Sequence, residues 1–185
     1  MRQLTDEEGR LGLALARQAV EAAVRRSRPV HGALPDVFSE PRGVFVTLTR
    51  DGQLRGCIGL PYPVTPLGEA IIEAGQSAAL HDPRFPPLTL GELDRIRVEL
   101  TVLTMPTPIS GPPSERPNVV EVGRHGLIVR GLGTSGLLLP QVAIEYGWTA
   151  TEFLGHTCRK AGLPPDCWRR PDIEVSLFEG QIFHE

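Results

Sequence analysis

Lysine is almost missing from this 185-residue chain: Lys160 is the only one, and arginine supplies every other basic side chain except histidine. The arginines scatter over the whole sequence, so we read the bias as codon usage. A charge excess of one sign is missing too. Nineteen basic against 22 acidic residues leave −3, whereas a duplex-binding domain carries a clear basic surplus. Nucleic acid is therefore not favoured as a partner. No apolar run approaches the roughly 18 residues of a membrane span, and the opening "MRQLTDEEGR" is too acidic and polar for a secretory signal. Cysteine is scarce: Cys57, Cys158 and Cys167 are odd in number and none has C-x-x-C spacing. That argues against a disulfide framework and against a zinc ribbon. The five histidines show no ligand spacing either, so neither a metal nor a cofactor is expected. These absences together predict a soluble, reduced, cytoplasmic protein.

What is present is enough for a proper core. At 41% hydrophobic the chain can fill one domain or two small lobes. Thr5 with Glu8 forms a capping box that opens a helix, and Leu13, Ala16, Val20 and Ala23 recur on one helical face. Arg17 and Glu21 sit at i,i+4. Thr65 and Pro66 start a second helix that reaches about Leu80. Thr89 with Glu92, and Thr149 with Glu152, are two further capping boxes. "IRVELTVLTM" alternates as a strand, "HGLIVRGLGTSGLLLP" reads as a hairpin, and a last strand runs roughly from Ile173 to Phe178. Strands arrive in hairpins rather than in βαβ units. The fold class is therefore α+β, with a mainly antiparallel sheet flanked by helices.

The segment "GVFVTLTRDGQLRGCIGL" carries the most information. It is a hairpin about Asp51-Gly52. A two-residue loop pairs Val46 with Cys57 and Leu48 with Arg55 and mixes apolar and polar groups on both faces. A loop one residue longer pairs Val46 with Ile58 and Leu48 with Gly56. Val44, Val46, Leu48, Ile58 and Leu60 then share one face, and Thr47, Thr49, Arg55 and Cys57 the other, with Phe45 as the exception. Separation of faces selects the second register. It turns Cys57 away from the main core and puts Arg55 beside it, where a guanidinium favours the thiolate form. Two readings stay open. Cys57 is a reactive or ligand-contacting group, or it is a structural cysteine under a covering element.

Other candidates are weaker. "HDPRFPP" places His81, Asp82 and Arg84 in one stiff turn after a helix. His81 there suits the helix C-terminus when charged; Asp82 before a proline equally suits a turn. Glu99 lies on the polar face of its strand and gains meaning if Cys57 shares that face. "GLGTSG" matches G-x-G-x-x-G, but "LLLP" follows instead of a helix, so it is read as a hairpin turn and not a dinucleotide loop.

Several segments together resemble one family. "LRGCIG" (Leu54–Gly59), "DPRFPPL", "HGLIV", "LLPQVA", "EFL" and "CRKAGLP" are similar to the motifs of the AMMECR-one domain family, in its prokaryotic branch, AmmeMemoRadiSam system protein A. The resemblance spans nearly the whole chain. It implies one domain over residues 1–185, two-lobed, with a cleft between lobes, and a sub-domain boundary is expected in the Pro/Gly-rich stretch near 106–118. It also implies Memo-like and radical SAM proteins as companions. It brings no assigned reaction. The expectation is an enzyme or enzyme partner: Cys57 as nucleophile or soft contact, His81 or Glu99 as acid–base group, and Arg55, Gly56, Gly59, Asp82 and Arg84 as binding residues for a small molecule or peptide. The alternative is a non-catalytic module for a nucleotide, a nucleic-acid end or a partner peptide.

Overall fold

The computed structural model describes residues 3–29 and 31–185. The chain divides into two compact units. The first runs to Leu103 and takes back Gln181–Glu185; the second is Thr104–Gly180.

In the first unit, helix α1 (Asp6–Val24) opens on the Thr5–Glu8 capping box. Helix α2 (Leu67–Leu80) starts one residue later than its sequence suggests, with Pro66 as its cap. A proline before the first turn donates no N–H, and none is required there. Strands β1 (Val44–Arg50), β2 (Gln53–Leu60) and β3 (Ile96–Leu103) join β8 (Gly180–His184) in the order β2-β1-β3-β8. Strand β8 was not expected, because Glu179-Gly180 interrupts the alternation that marks the preceding strand. The core lies between the two helices and one sheet face: Ala16, Val20, Ala70, Ile71 and Ala74 pack on Val44, Val46, Leu48, Val98, Leu100 and Val102. Phe183 of β8 joins that core, its ring lying where a side chain on Gly9 of α1 would go. Arg17, expected to pair with Glu21, instead bonds the Glu185 carboxylate, which also accepts from the Val98 N–H at 3.0 Å. These bonds hold the end of β8 in place.

The second unit is built on β4 (Thr107–Pro108), β5 (Gly126–Gly131), β6 (Thr134–Leu138) and β7 (Glu174–Phe178), in the order β4-β7-β5-β6 with antiparallel pairs. Helices α3 (Arg116–Val119), α4 (Pro140–Glu145) and α5 (Ala150–Lys160) accompany the sheet. Its core joins Leu127, Val129 and Val175 to Phe153 and Leu154 of α5. "GLGTSG" is the β5–β6 hairpin, with Leu132 and Gly133 both at positive φ. Cysteine spacing misled in this unit: Cys158 of α5 and Cys167 are disulfide-bonded, 6.1 Å apart at Cα. They are nine positions apart in sequence, across the Gly162–Pro164 turn that folds the chain back on α5, and spacing alone does not show that return. The protein is α+β with two antiparallel sheets flanked by helices. Among the described residues no helix is long and apolar enough to cross a membrane.

Candidate functional site

The hairpin β1–β2 pairs Val46 with Ile58, Leu48 with Gly56 and Thr47 with Cys57. The register selected by face separation is therefore the observed one, but its cause differs from the longer loop expected. Arg50 pairs with Gln53, so the loop has only two residues, Asp51 and Gly52, both at positive φ. That is the favoured Asp-Gly hairpin turn. The extra residue sits inside β2, between the Thr49–Leu54 and Leu48–Gly56 pairs, and it is Arg55. A bulge re-aims the side chain it carries. Arg55 leaves the Cys57 face, contrary to the sequence reading. It turns to the Glu92 carboxylate (Nε to Oε1 2.9 Å, Nη2 to Oε2 3.2 Å) and to the Pro86 carbonyl at 3.0 Å. Glu92 also accepts from Arg50 at 2.6 Å and from the Thr89 N–H and hydroxyl. Hydrogen bonding to Arg55, reinforced by Thr89, pulls the Glu92 carboxyl down to about 2 against the burial that opposes it.

The two glycines of "LRGCIG" serve packing. A Cβ on Gly56 would lie 2.3 Å from the Ala78 carbonyl oxygen, so Gly56 lets α2 close on the sheet. A Cβ on Gly59 would meet the Phe45 ring, which lies over it on the opposite face. The 81–84 turn covers the outer edge of β2. Asp82 is buried, accepts from the Cys57 N–H at 2.8 Å and from the Arg84 N–H at 3.0 Å, and is paired with the Arg84 guanidinium at 2.7 Å. Arg84 Nη2 in turn donates to the Cys57 carbonyl at 3.1 Å. Arg84 first, then these N–H groups, hold the Asp82 carboxyl well below the usual carboxylate range. Arg84 is itself kept charged chiefly by Asp82, with the Cys57 sulfur among the lesser causes. Arg84, not Arg55, is thus the guanidinium placed beside Cys57. His81 caps the C-terminus of α2 and is exposed, and no side-chain bond ties it to Cys57.

Across the sheet from Cys57 stands a polar row. The Thr47 hydroxyl donates to Cys57 Sγ at 3.4 Å. Thr47 pairs with Glu99 on β3, and Glu99 Oε2 lies 3.2 Å from His184 Nδ1 on β8. Since Phe183 faces the core, His184 faces away from it by the two-residue period of a strand. Cys57, Thr47, Glu99 and His184 therefore line up on the face turned away from α1 and α2. Cys57 is half-buried and is the one free thiol. The sequence reading placed Thr47 on the Cys57 face and named Glu99, but it named neither Glu92 as the partner of Arg55 nor His184. The alternation Gln181, Ile182, Phe183, His184 was the available signal for the last. Among the described residues no three His, Cys, Asp or Glu side chains converge as a metal site requires.

A two-residue turn, a bulged edge strand and glycines committed to packing define a class: two-unit α+β proteins built around an "LRGCIG" hairpin. The AMMECR1 family model matches residues 13–183, and the chain belongs to that family. It is 54% identical over 185 residues to a protein of Methanothermobacter thermautotrophicus, covering 98% of this chain and 96% of that one. It is 50% identical to protein PF1979 of Pyrococcus furiosus, covering 100% and 91%. Among solved structures, the uncharacterized protein PH0010 from Pyrococcus horikoshii superposes with a TM-score of 0.84 at 49% identity, covering 98% of this chain and 93% of that one.

Proposed function

We propose that the face carrying Cys57 is the working surface of the first unit, in an enzyme or enzyme partner with thiol-dependent chemistry. One observation carries this reading: the motif's arginine and both its glycines are committed to holding the hairpin, while its thiol is left half-open beside Thr47. Neighbouring strands lie about 4.8 Å apart, so Cys57 and Glu99, two strands apart, stand roughly 10 Å from each other at Cα. A substrate lying across the strands would bridge them, with Cys57 as nucleophile or soft contact and the Glu99–His184 pair as acid–base group at its far end. Arg84 takes the anion-binding role first given to Arg55, since its Nη1 has no partner among the described residues. Such a substrate is a small molecule or a short peptide side chain. Addition of a peptide strand to β2 at Cys57 is disfavoured, because Asp82 and Arg84 already occupy its N–H and carbonyl. Memo-like and radical SAM proteins are the companions proposed from the family resemblance.

The test replaces the chromosomal gene by Cys57→Ser, Glu99→Gln and His184→Gln, and compares each metabolite profile with that of a full deletion. A strain lacking the radical SAM gene is profiled in parallel. Each variant should accumulate to the normal level and reproduce the deletion profile. Wild-type profiles for all three, at normal protein levels, would end this reading.

A further inference from the structure

A second candidate site lies in the other unit, on residues outside the "LRGCIG" motif. One face of α5 and the loop after it flank an open cleft of about 390 Å³, the size range of small-metabolite sites. Its α5 wall carries Thr151, His156 and Arg159; its loop wall carries Asp166, Trp168 and Arg169. Arg159 and Arg169 both lack a carboxylate partner among the described residues. Arg159 Nη1 lies 3.4 Å from His156 Nδ1, and the Arg169 guanidinium stacks on the Trp168 ring at 4.6 Å. Each guanidinium is placed by one neighbour, and neither has a further side-chain hydrogen-bond partner among the described residues. The His156 ring is itself fixed, flush on Trp148 at 3.7 Å between centroids and 4° between planes.

The loop wall is held by two independent fasteners. The disulfide ties Cys167 to Cys158 of α5. Arg116, 6% exposed, spends its guanidinium on main-chain carbonyls alone, those of Trp168, Arg170 and Ile173. Burial without a carboxylate opposes its charge, and a buried cation held only by carbonyls is a costly way to fix a loop. What that cost secures is the orientation of the 168–173 segment, and with it Arg169. A loop that only had to cover the core would need no such anchor, because Trp168 and Ile173 already bury themselves in it.

We propose that this pocket binds a small metabolite through an oxyanion, phosphate or carboxylate, seated between Arg159 and Arg169. Forked guanidinium groups suit either anion. Thr151 offers a hydroxyl, and Asp166 adds an acceptor for a hydroxyl or amine on the same ligand. The site shares no residue with the Cys57 face, so either reading can fail without the other.

Calorimetric titration of the intact protein with pyrophosphate and, separately, with citrate tests this at physiological ionic strength. Saturable binding is expected for at least one probe. Pyrophosphate alone assigns a phosphorylated ligand, citrate alone a carboxylate, and both together an oxyanion site that tolerates either. Arg159→Gln and Arg169→Gln should each weaken binding about tenfold or more, the loss of a charge-assisted hydrogen bond. Both side chains are exposed, so the variants should melt with the parent. Arg25→Gln in the first unit removes the same charge and should change nothing. No saturable binding of either probe would overturn the proposal. So would binding that survives both pocket variants, or that Arg25→Gln weakens equally.

Discussion

Glu92 is the group whose removal reads out the scaffold most sharply. Its carboxylate receives Arg55 in a two-point contact, Arg50 and the Thr89 cap, and its folded value is lowered from 4.5 to about 2, first by Arg55. A carboxyl with a depressed folded value contributes stability above its unfolded value, and loses it as pH falls through the folded one. The contribution should therefore be complete above about pH 5, decline below 4.5, and be gone near 2. The lowering corresponds to a ceiling of about 3 kcal/mol. The side chain is 15% exposed and water screens part of the interaction, so about 1–2 kcal/mol is the expected size. Urea unfolding of the parent and of Glu92→Gln, followed by far-ultraviolet circular dichroism, measures it. Tryptophan fluorescence reports directly on the second unit, to which Trp148 and Trp168 both belong. The difference in stability between the two proteins should be flat above pH 5 and shrink steadily toward pH 2. A difference that does not change with pH, or that grows in acid, would refute the reasoning.

Three further substitutions test separate parts of the structure. Gly56→Ala should cost about 2 kcal/mol or more, because its Cβ meets a main-chain oxygen of α2 that cannot swing aside; Gly59→Ala, which meets the Phe45 ring, should cost less, and equal melting of the two would contradict the packing argument. Leu132 holds a positive φ in a two-residue hairpin turn before Gly133, where Asn is the preferred residue; Leu132→Asn should raise stability by about 0.5–1 kcal/mol, and a lowered melting point would count against it. Cys167→Ser opens a loop of nine residues' separation and should lower stability by about 2–3 kcal/mol under oxidising conditions, with little difference once both proteins are reduced.

The face of Cys57 was legible because the apolar residues of β1 and β2, Phe45 apart, gather on one face in only one register. Its cause was not. A three-residue loop and a two-residue loop with a bulge give the same inward pattern, and only the second turns Arg55 away from the thiol. The Thr89–Glu92 capping box was readable as a local motif, yet the same carboxylate's second task, holding Arg55 from 37 residues away, depends on where the loop after α2 travels. Asp82 read first as a turn residue, with a binding role as the alternative; its bond to the Cys57 N–H shows that the turn covers an edge strand. His184 was missed because β8 is short and joins β3, which lies far away in sequence. The Cys158–Cys167 bridge was missed for a related reason: it joins a helix to the loop that returns over it.

The central claim is that Cys57 is left open by a motif otherwise committed to packing. Alkylation of the native protein, followed by mass spectrometry against urea concentration, tests it directly. Cys158 and Cys167 are bridged, so a single label should appear, on Cys57. It should form in the folded state at a rate that low urea does not change. Labelling slower than in the unfolded chain by about a thousandfold or more, and rising with urea as the population of unfolded protein rises, would show a thiol reached only through unfolding and would contradict the claim.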